Sequence, residues 1–262
     1  MKKIILLLAV LGFIVVMTSC QKAEEVTVSK YFQAMQHNDK DTMATMSFEP
    51  RDIEYKAFEI LSIEEPVVEE LQLPILLKKS ADMEKRKKDQ VLLAVEKDDE
   101  LAEAEDELED TRRRSKRDEL EKKIEELTTQ AEEEKQKVKT MQLEINQLDK
   151  AIEREKALIT LSTGMRENLE MFSGETHLSR VTVKITLEND EVQNYVFLLR
   201  KDVLKLQDKQ SNGRLIILKL MSEDDYKKEM QAKEEEKSMG ETEEVTEEQP
   251  AAQEQKEEET NG

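Results

Sequence analysis

The sequence predicts an α+β fold: a small helix-covered antiparallel sheet, interrupted by a long helical coiled-coil insertion and followed by a disordered acidic tail. Three observations predict it. Beyond residue 20, every aromatic residue lies either between Tyr31 and Phe58 or between Phe172 and Tyr226, so only these two flanks can build an ordinary core. Between them, residues 75–163 contain neither Gly nor Pro and are dominated by strong helix formers. After the insertion, Val181, Val183, Ile185 and Leu187 alternate with Thr182, Lys184, Thr186 and Glu188, the period of a half-buried strand. The flanks, residues 26–70 and 166–228, together amount to one small domain, with residues 71–165 as the insertion and 229–262 as the tail.

At the start of the chain, Lys2 and Lys3 precede an apolar run, residues 4–17, that is too short to span a bilayer comfortably and ends in small residues. The segment Met17-Thr18-Ser19-Cys20 resembles the lipobox of a bacterial lipoprotein signal peptide, with Met17 where Leu is usual. The resemblance implies that residues 1–19 are removed and that Cys20, the sole cysteine, becomes the lipidated first residue. It would be joined to the domain by a linker over residues 20–25. A lone cysteine has no disulfide partner, which fits a modified residue. Acyl chains such as palmitate would hold the protein to a membrane, each buried methylene contributing ~0.8 kcal/mol. The implied location is the cell envelope. By resemblance to enterobacterial lipoproteins, Gln21 in place of Asp favours the outer membrane facing the periplasm in a Gram-negative cell; otherwise the outer face of the plasma membrane is expected.

In the first flank, Val28, Tyr31, Phe32 and Met35 share a helical face, and His37-Asn38-Asp39 breaks it before a second short helix carrying Met43 and Met46, with Asp39 as N-cap. Ile53, Tyr55 and Ala57 alternate as a strand, and the change of parity at Phe58 and Ile60 suggests a bulge.

Pro74 starts the insertion and Gly164 interrupts it. Within it Leu120, Ile124, Leu127, Ala131, Glu134 and Val138, then Met141, Ile145, Leu148, Ile152, Glu155 and Ile159, alternate spacings of four and three. That is a coiled-coil seam, with Glu134 and Glu155 as polar intrusions. Its closure has two solutions. An antiparallel hairpin turning near residues 111–118 returns both ends to one domain, whereas β-branched residues at one seam position and Leu or Met at the other suit a parallel homodimer. In the first half, Leu92, Val95, Leu101, Ala104 and Leu108 hold no single register.

In the second flank the strand from Val181 leads to Asn189-Asp190, read as a two-residue turn, and a second strand runs through Tyr195, Phe197 and Leu199 toward Leu206. Ser211-Asn212-Gly213 is then expected to turn the chain into a third strand over residues 214–220. Residues 223–262 hold 16 acidic and 5 basic residues. Beyond about Glu234 the chain is too polar to offset the entropy of ordering.

The opening stretch Val28-Ser29-Lys30-Tyr31-Phe32-Gln33-Ala34-Met35-Gln36-His37-Asn38-Asp39, together with late strands joined by Asn212-Gly213 before Arg214-Leu215-Ile216-Ile217, resembles the nuclear transport factor two-like superfamily. Leu215 stands where those domains often carry Trp, and the insertion is not a usual feature of them. The resemblance implies a cone of curved sheet wrapped on helices around an apolar pocket, which serves catalysis in some members and binding or assembly in others.

Composition narrows the chemistry. There is no phosphate-cradling Gly-rich loop or nucleophile elbow, and one cysteine with two histidines makes a structural zinc site implausible. No cofactor is expected. A net charge of -20 and export both disfavour nucleic acid. His37, His177, Asp52, Tyr31, Tyr55 and Tyr195 are the residues from which an acid and base pair would have to come, but no spacing forces two of them together, and no catalytic residue is assigned. Arg112, Arg113, Arg114, Lys116 and Arg117 form the one strong basic patch, a contact for an anionic partner or a solvated hairpin tip. The expected function is that of a lipid-anchored, non-enzymatic binding or scaffold protein with two attachments: the membrane through Cys20, and an envelope protein through the coiled coil. A ligand-binding or enzymatic pocket is the alternative. An adaptor resembling efflux membrane-fusion proteins is a third reading, weakened because the flanks lack Gly-rich lipoyl-like halves.

Overall fold

The computed structural model describes residues 22–207 and 209–244; Cys20 and residues 245–262 lie outside them. The chain mixes an antiparallel sheet with helices. Helix α1, Ala23–Gln36, buries Val28, Tyr31, Phe32 and Met35 along one face. Asn38, at φ 51°, ends that run, and Asp39 caps α2, Lys40–Met46, by accepting the Thr42 N–H at 3.0 Å.

Two long strands, β3 (Ser173–Leu187) and β4 (Val192–Leu206), pair antiparallel along nearly their whole length. On the outer side of β3 lie β1 (Tyr55–Ile63) and β2 (Val67–Glu70) in succession, with register shifts in β1 between Tyr55 and Ala57 and between Ile60 and Ser62. On the outer side of β4 lie β5 (Lys209–Asn212) and β6 (Ile216–Ser222).

Alternation along β3 and β4 gives the sheet two different faces. One face carries Val181, Val183, Ile185, Tyr195, Phe197 and Leu199, all buried beneath α1 and α2. Phe32 fills this core, stacking on Phe58 with centroids 4.0 Å apart and meeting Phe197 edge-on. The other face, toward the far end of β4, belongs to a second cluster, Leu71, Leu73, Ile152, Ile159, Leu169 and Leu204, which seats the insertion.

The insertion is two helices, α3 (Gln72–Asp110) and α4 (Arg114–Thr163). They run antiparallel: Glu107 meets Lys116 near the tip, Asp98 meets Lys135 further in at 2.7 Å, and Lys87 meets Gln142 nearer the base. At 1.5 Å per residue α4 is about 75 Å long. Gly164, in the left-handed region at φ 77°, caps it by donating its N–H to Thr160.

Several local expectations need correction. Leu92 and Val95 are exposed rather than turned to α4. The side of α3 that faces α4 is instead formed by Leu73, Leu76, Ser80, Met83, Lys87, Gln90, Ala94, Lys97, Leu101, Ala104 and Leu108, every one at least partly buried. Four residues, 188–191, join β3 to β4, because Asp190 takes φ 66° and Leu187 donates to the Glu191 carbonyl. Gly213 does not turn a hairpin: the chain reverses between Leu206 and Lys209, where Gln207 has φ 53°, and Gly213 separates β5 from β6. The tail expected from residue 229 begins inside a helix, α5 (Glu223–Glu244). Acidic residues occupy its first turn, where they favour a helix N-terminus, Lys227 and Lys233 pair with Glu223 and Glu229, and Lys219 of β6 reaches Glu229.

Candidate functional site: the junction of arm and sheet

The long strand β4 carries Arg200 and Asp202 two residues apart, hence on one face, between the apolar positions Leu198 and Leu204. Both are buried, Arg200 to 5 % exposure and Asp202 to 0 %, directly beneath the last turns of α4. There Glu155, itself 6 % exposed, accepts two hydrogen bonds from the Arg200 guanidinium, one of 2.8 Å from Nη1 to Oε2 and its mate from Nη2 to Oε1. The third guanidinium donor, Nε, reaches Asp202 Oδ1 at 2.8 Å, and the Thr176 hydroxyl of β3 donates to the same oxygen at 3.0 Å. Arginine suits this place because its planar fork serves two carboxylates at once.

The electrostatics are unbalanced. One cation faces two carboxylates, and Asp202 Oδ2 makes no hydrogen bond among the described residues. Burial raises the Asp202 pKa above the ordinary aspartate value, only partly opposed by the nearby Arg200. Burial works against the Arg200 cation too, but the Glu155 hydrogen bonds and the Asp202 charge outweigh it and raise its pKa.

Further contacts complete the junction. Ser162 accepts the Asp202 backbone N–H at 3.1 Å and donates to the Arg214 carbonyl at 3.0 Å. Gly213 passes so close that a β-carbon there would lie 2.4 Å from Ser162 Oγ, so only glycine fits. Arg214 bridges the Leu161 carbonyl of α4 and the Thr45 carbonyl of α2, at 3.1 and 2.7 Å. Arg154 lies over the Phe48 ring and reaches Glu49. Three arginines thus tie one end of the arm to the domain. With both carboxylates engaged by a cation and sealed from water, the cluster acts as an ionic lock.

Seam residues Leu120, Leu127, Ala131, Ile145, Leu148, Ile152 and Ile159 are buried, and Ile124, Val138 and Met141 are half-buried. Of the two polar intrusions, Glu134 takes a hydrogen bond from Gln90 and pairs with Lys137, while Glu155 makes the lock. Arg112 and Arg113 occupy the link at the tip, and Arg114, Lys116 and Arg117 the first turn of α4, all exposed. Lys116 pairs with Glu107 and Arg117 reaches the Thr111 carbonyl at 3.3 Å.

Of the acid and base candidates, Asp52 and Tyr195 line one open depression with Arg51 and Glu188, and the Asp52 charge acts on Tyr31; among the described residues no hydrogen bond joins any two of the six. The Tyr31 hydroxyl donates to the Arg51 carbonyl at 3.0 Å and accepts the Arg51 N–H at 2.8 Å. Tyr55 donates to the Phe32 carbonyl and Tyr195 to Gln193. His37 is exposed at the end of α1, and His177, on β3, is 3.9 Å from Glu175. Among the described residues no group of three or more His, Cys, Asp or Glu is placed to hold a metal ion, and no helix is long and apolar enough to cross a membrane.

Sequence reasoning missed Arg200, Asp202, Thr176 and Ser162. The available signal was two opposite charges two residues apart inside an apolar strand, matched by the one seam glutamate at the base of the arm. No known protein family, curated protein or solved structure matches this chain.

Proposed function

We propose that the chain is a lipid-anchored cell-envelope protein that works without catalysis. In this reading it is a binding or scaffold protein whose arm, an antiparallel coiled coil, is the partner-contacting element. The observation that supports it best is the lock between Glu155 and Arg200. An arm joined through a buried, bidentate ion pair is a fixed projection, and a fixed projection presents the same surface each time a partner meets it. The tip adds a suitable contact for an anionic partner: Arg112, Arg113 and Arg114 are exposed and make no ion pair among the described residues. The anchor rests on the lipobox Met17-Thr18-Ser19-Cys20. One observation favours ligand binding as a second reading. A groove between α5 and the sheet has Leu178, Leu198, Leu218 and Met230 among its lining residues, with Glu64, Glu65 and Glu229 beside them.

The test separates anchor from arm. Cys20→Ala should block processing or release the protein from the membrane fraction, and normal processing with full retention would refute the anchor. Replacing residues 84–144 with a short Gly and Ser linker keeps the base of the arm, because loop closure depends only weakly on length. That variant should fold cooperatively yet lose proteins cross-linked to the full-length chain in envelopes. Undiminished capture would shift the function to the groove beneath α5.

A further inference from the structure

Helix α3 has two stripes of residues at alternating spacings of three and four. One faces α4 and is largely polar in its middle, as described above. The second runs along an exposed side of the helix and is ordered by charge. Its base-proximal third carries Lys78, Lys85 and Lys88, its centre Leu92 and Val95, and its tip-proximal third Asp99, Asp106 and Glu109, with Ala81 and Ala102 between. All of these residues are exposed, Leu92 to 69 % and Val95 to 51 %. None of the six charged side chains has an ion-pair partner among the described residues, although neighbours on the same helix do: Lys97 pairs with Glu100 and Asp98 with Lys135.

We propose that this stripe is a homotypic interface, on which a second copy of the chain docks antiparallel across a two-fold axis lying between Leu92 and Val95. The pattern basic, apolar, acidic is complementary to itself in that orientation alone. Turned about the axis, Leu92 meets Val95 of the second copy, Lys88 meets its Asp99, Lys78 meets its Glu109, and Lys85 falls between its Asp99 and Asp106. A parallel, in-register pairing would set Lys88 against Lys88 and Asp99 against Asp99, and like charges so placed repel. The interface is isologous, as a two-fold contact must be. Beside the stripe, Val91, Leu92 and Lys88 with Gln142 and Asp149 of α4 line a groove of about 650 Å³, which gives the second helix a depression to enter. The two apolar residues supply the contact, and the charges fix direction and register. This inference stands on the described residues and does not depend on the envelope reading.

Sedimentation equilibrium of the mature-length chain carrying Cys20→Ser tests it. The expected result is a reversible monomer and dimer. Leu92→Glu with Val95→Glu should leave a monomer of unchanged helical content. Lys88→Asp should weaken association by about tenfold or more, since each of two symmetric attractions becomes a repulsion, and Lys88→Asp with Asp99→Lys should restore it. A chain that stays monomeric up to millimolar concentration, a dimer that survives the Leu92 and Val95 pair of substitutions, or a double charge exchange that fails to rescue would each overturn the proposal.

Discussion

At the base of the arm, Leu71, Leu73, Ile152, Ile159 and Leu204 close over one another and Arg200 joins Glu155 to the sheet. Midway along the same arm, the contacts are Lys87 with Gln142, Gln90 with Glu134 and Asp98 with Lys135. The base has the composition of a domain core with an ion pair sealed inside. In the middle, exposed or half-exposed polar pairs surround a thin line of apolar residues. Buried apolar side chains contribute ~1.5–3 kcal/mol each, whereas exposed ion pairs contribute ~0–1 kcal/mol. Orientation and most of the stability are therefore decided at the base, and the middle mainly keeps the two helices in register.

The sharpest way to break this contrast is to remove the cation of the lock. Arg200→Met leaves Glu155 and Asp202 buried without a counter-charge, and losing one partner of such a pair costs about 3–5 kcal/mol. Denaturant unfolding should show that loss. An effect below about 1 kcal/mol would mean that water reaches the cluster.

Truncations on α4 compare the two regions more directly. Ile159, with 0 % exposure at the base, should cost about 2–5 kcal/mol as Ile159→Ala. Val138, half-buried in the middle, should cost about 1 kcal/mol or less as Val138→Ala. Equal costs would mean that the arm is uniformly packed and that the base is not special.

The smallest expected effect concerns charge balance within the lock. Asp202 has a raised pKa in the folded protein. Its protonated form therefore contributes stability that is fully present below the ordinary aspartate value of 3.8 and is lost as pH rises through the folded value. Asp202→Asn removes the surplus titratable carboxylate while keeping an oxygen for Arg200 and Thr176. Melting temperatures measured from acid to neutral pH should show the variant gaining on the wild type as pH rises. A gap that moves the other way would mean that Arg200 favours the Asp202 charge more than burial opposes it.

The parts of this architecture that were legible in the sequence are those where one segment carries its own pattern. The α4 seam is apolar at ten of twelve positions, and β3 alternates from Val181 to Ile185 where it meets the helices, while β4 announces itself as a short unbroken apolar run, Tyr195 to Leu199. The α3 seam was illegible because Ser80, Lys87, Gln90 and Lys97 occupy it, while the conspicuous apolar residues Val91, Leu92, Leu93 and Val95 point elsewhere. Hydrophobic periodicity finds a helix face only when that helix supplies its own apolar side chains, and here α4 supplies most of them. Strand β2 has no alternation to read, since Val67, Val68, Glu69 and Glu70 are all exposed. The lock was half visible: Glu155 stood out in its seam, but its partner lies 45 residues away, and neither charge alone identifies the other. The start of the tail misled because Glu- and Lys-rich composition suits a solvated helix as well as an unfolded chain.

The firm seating of α4 has a mechanical corollary. A rod about 75 Å long that is clamped at one end converts angle into distance, so each degree of tilt at Arg200 displaces Arg114 by about 1 Å. Small rearrangements beneath the clamp would be magnified into travel at the basic tip. Geared in this way, the arm can relay a displacement as well as hold a position.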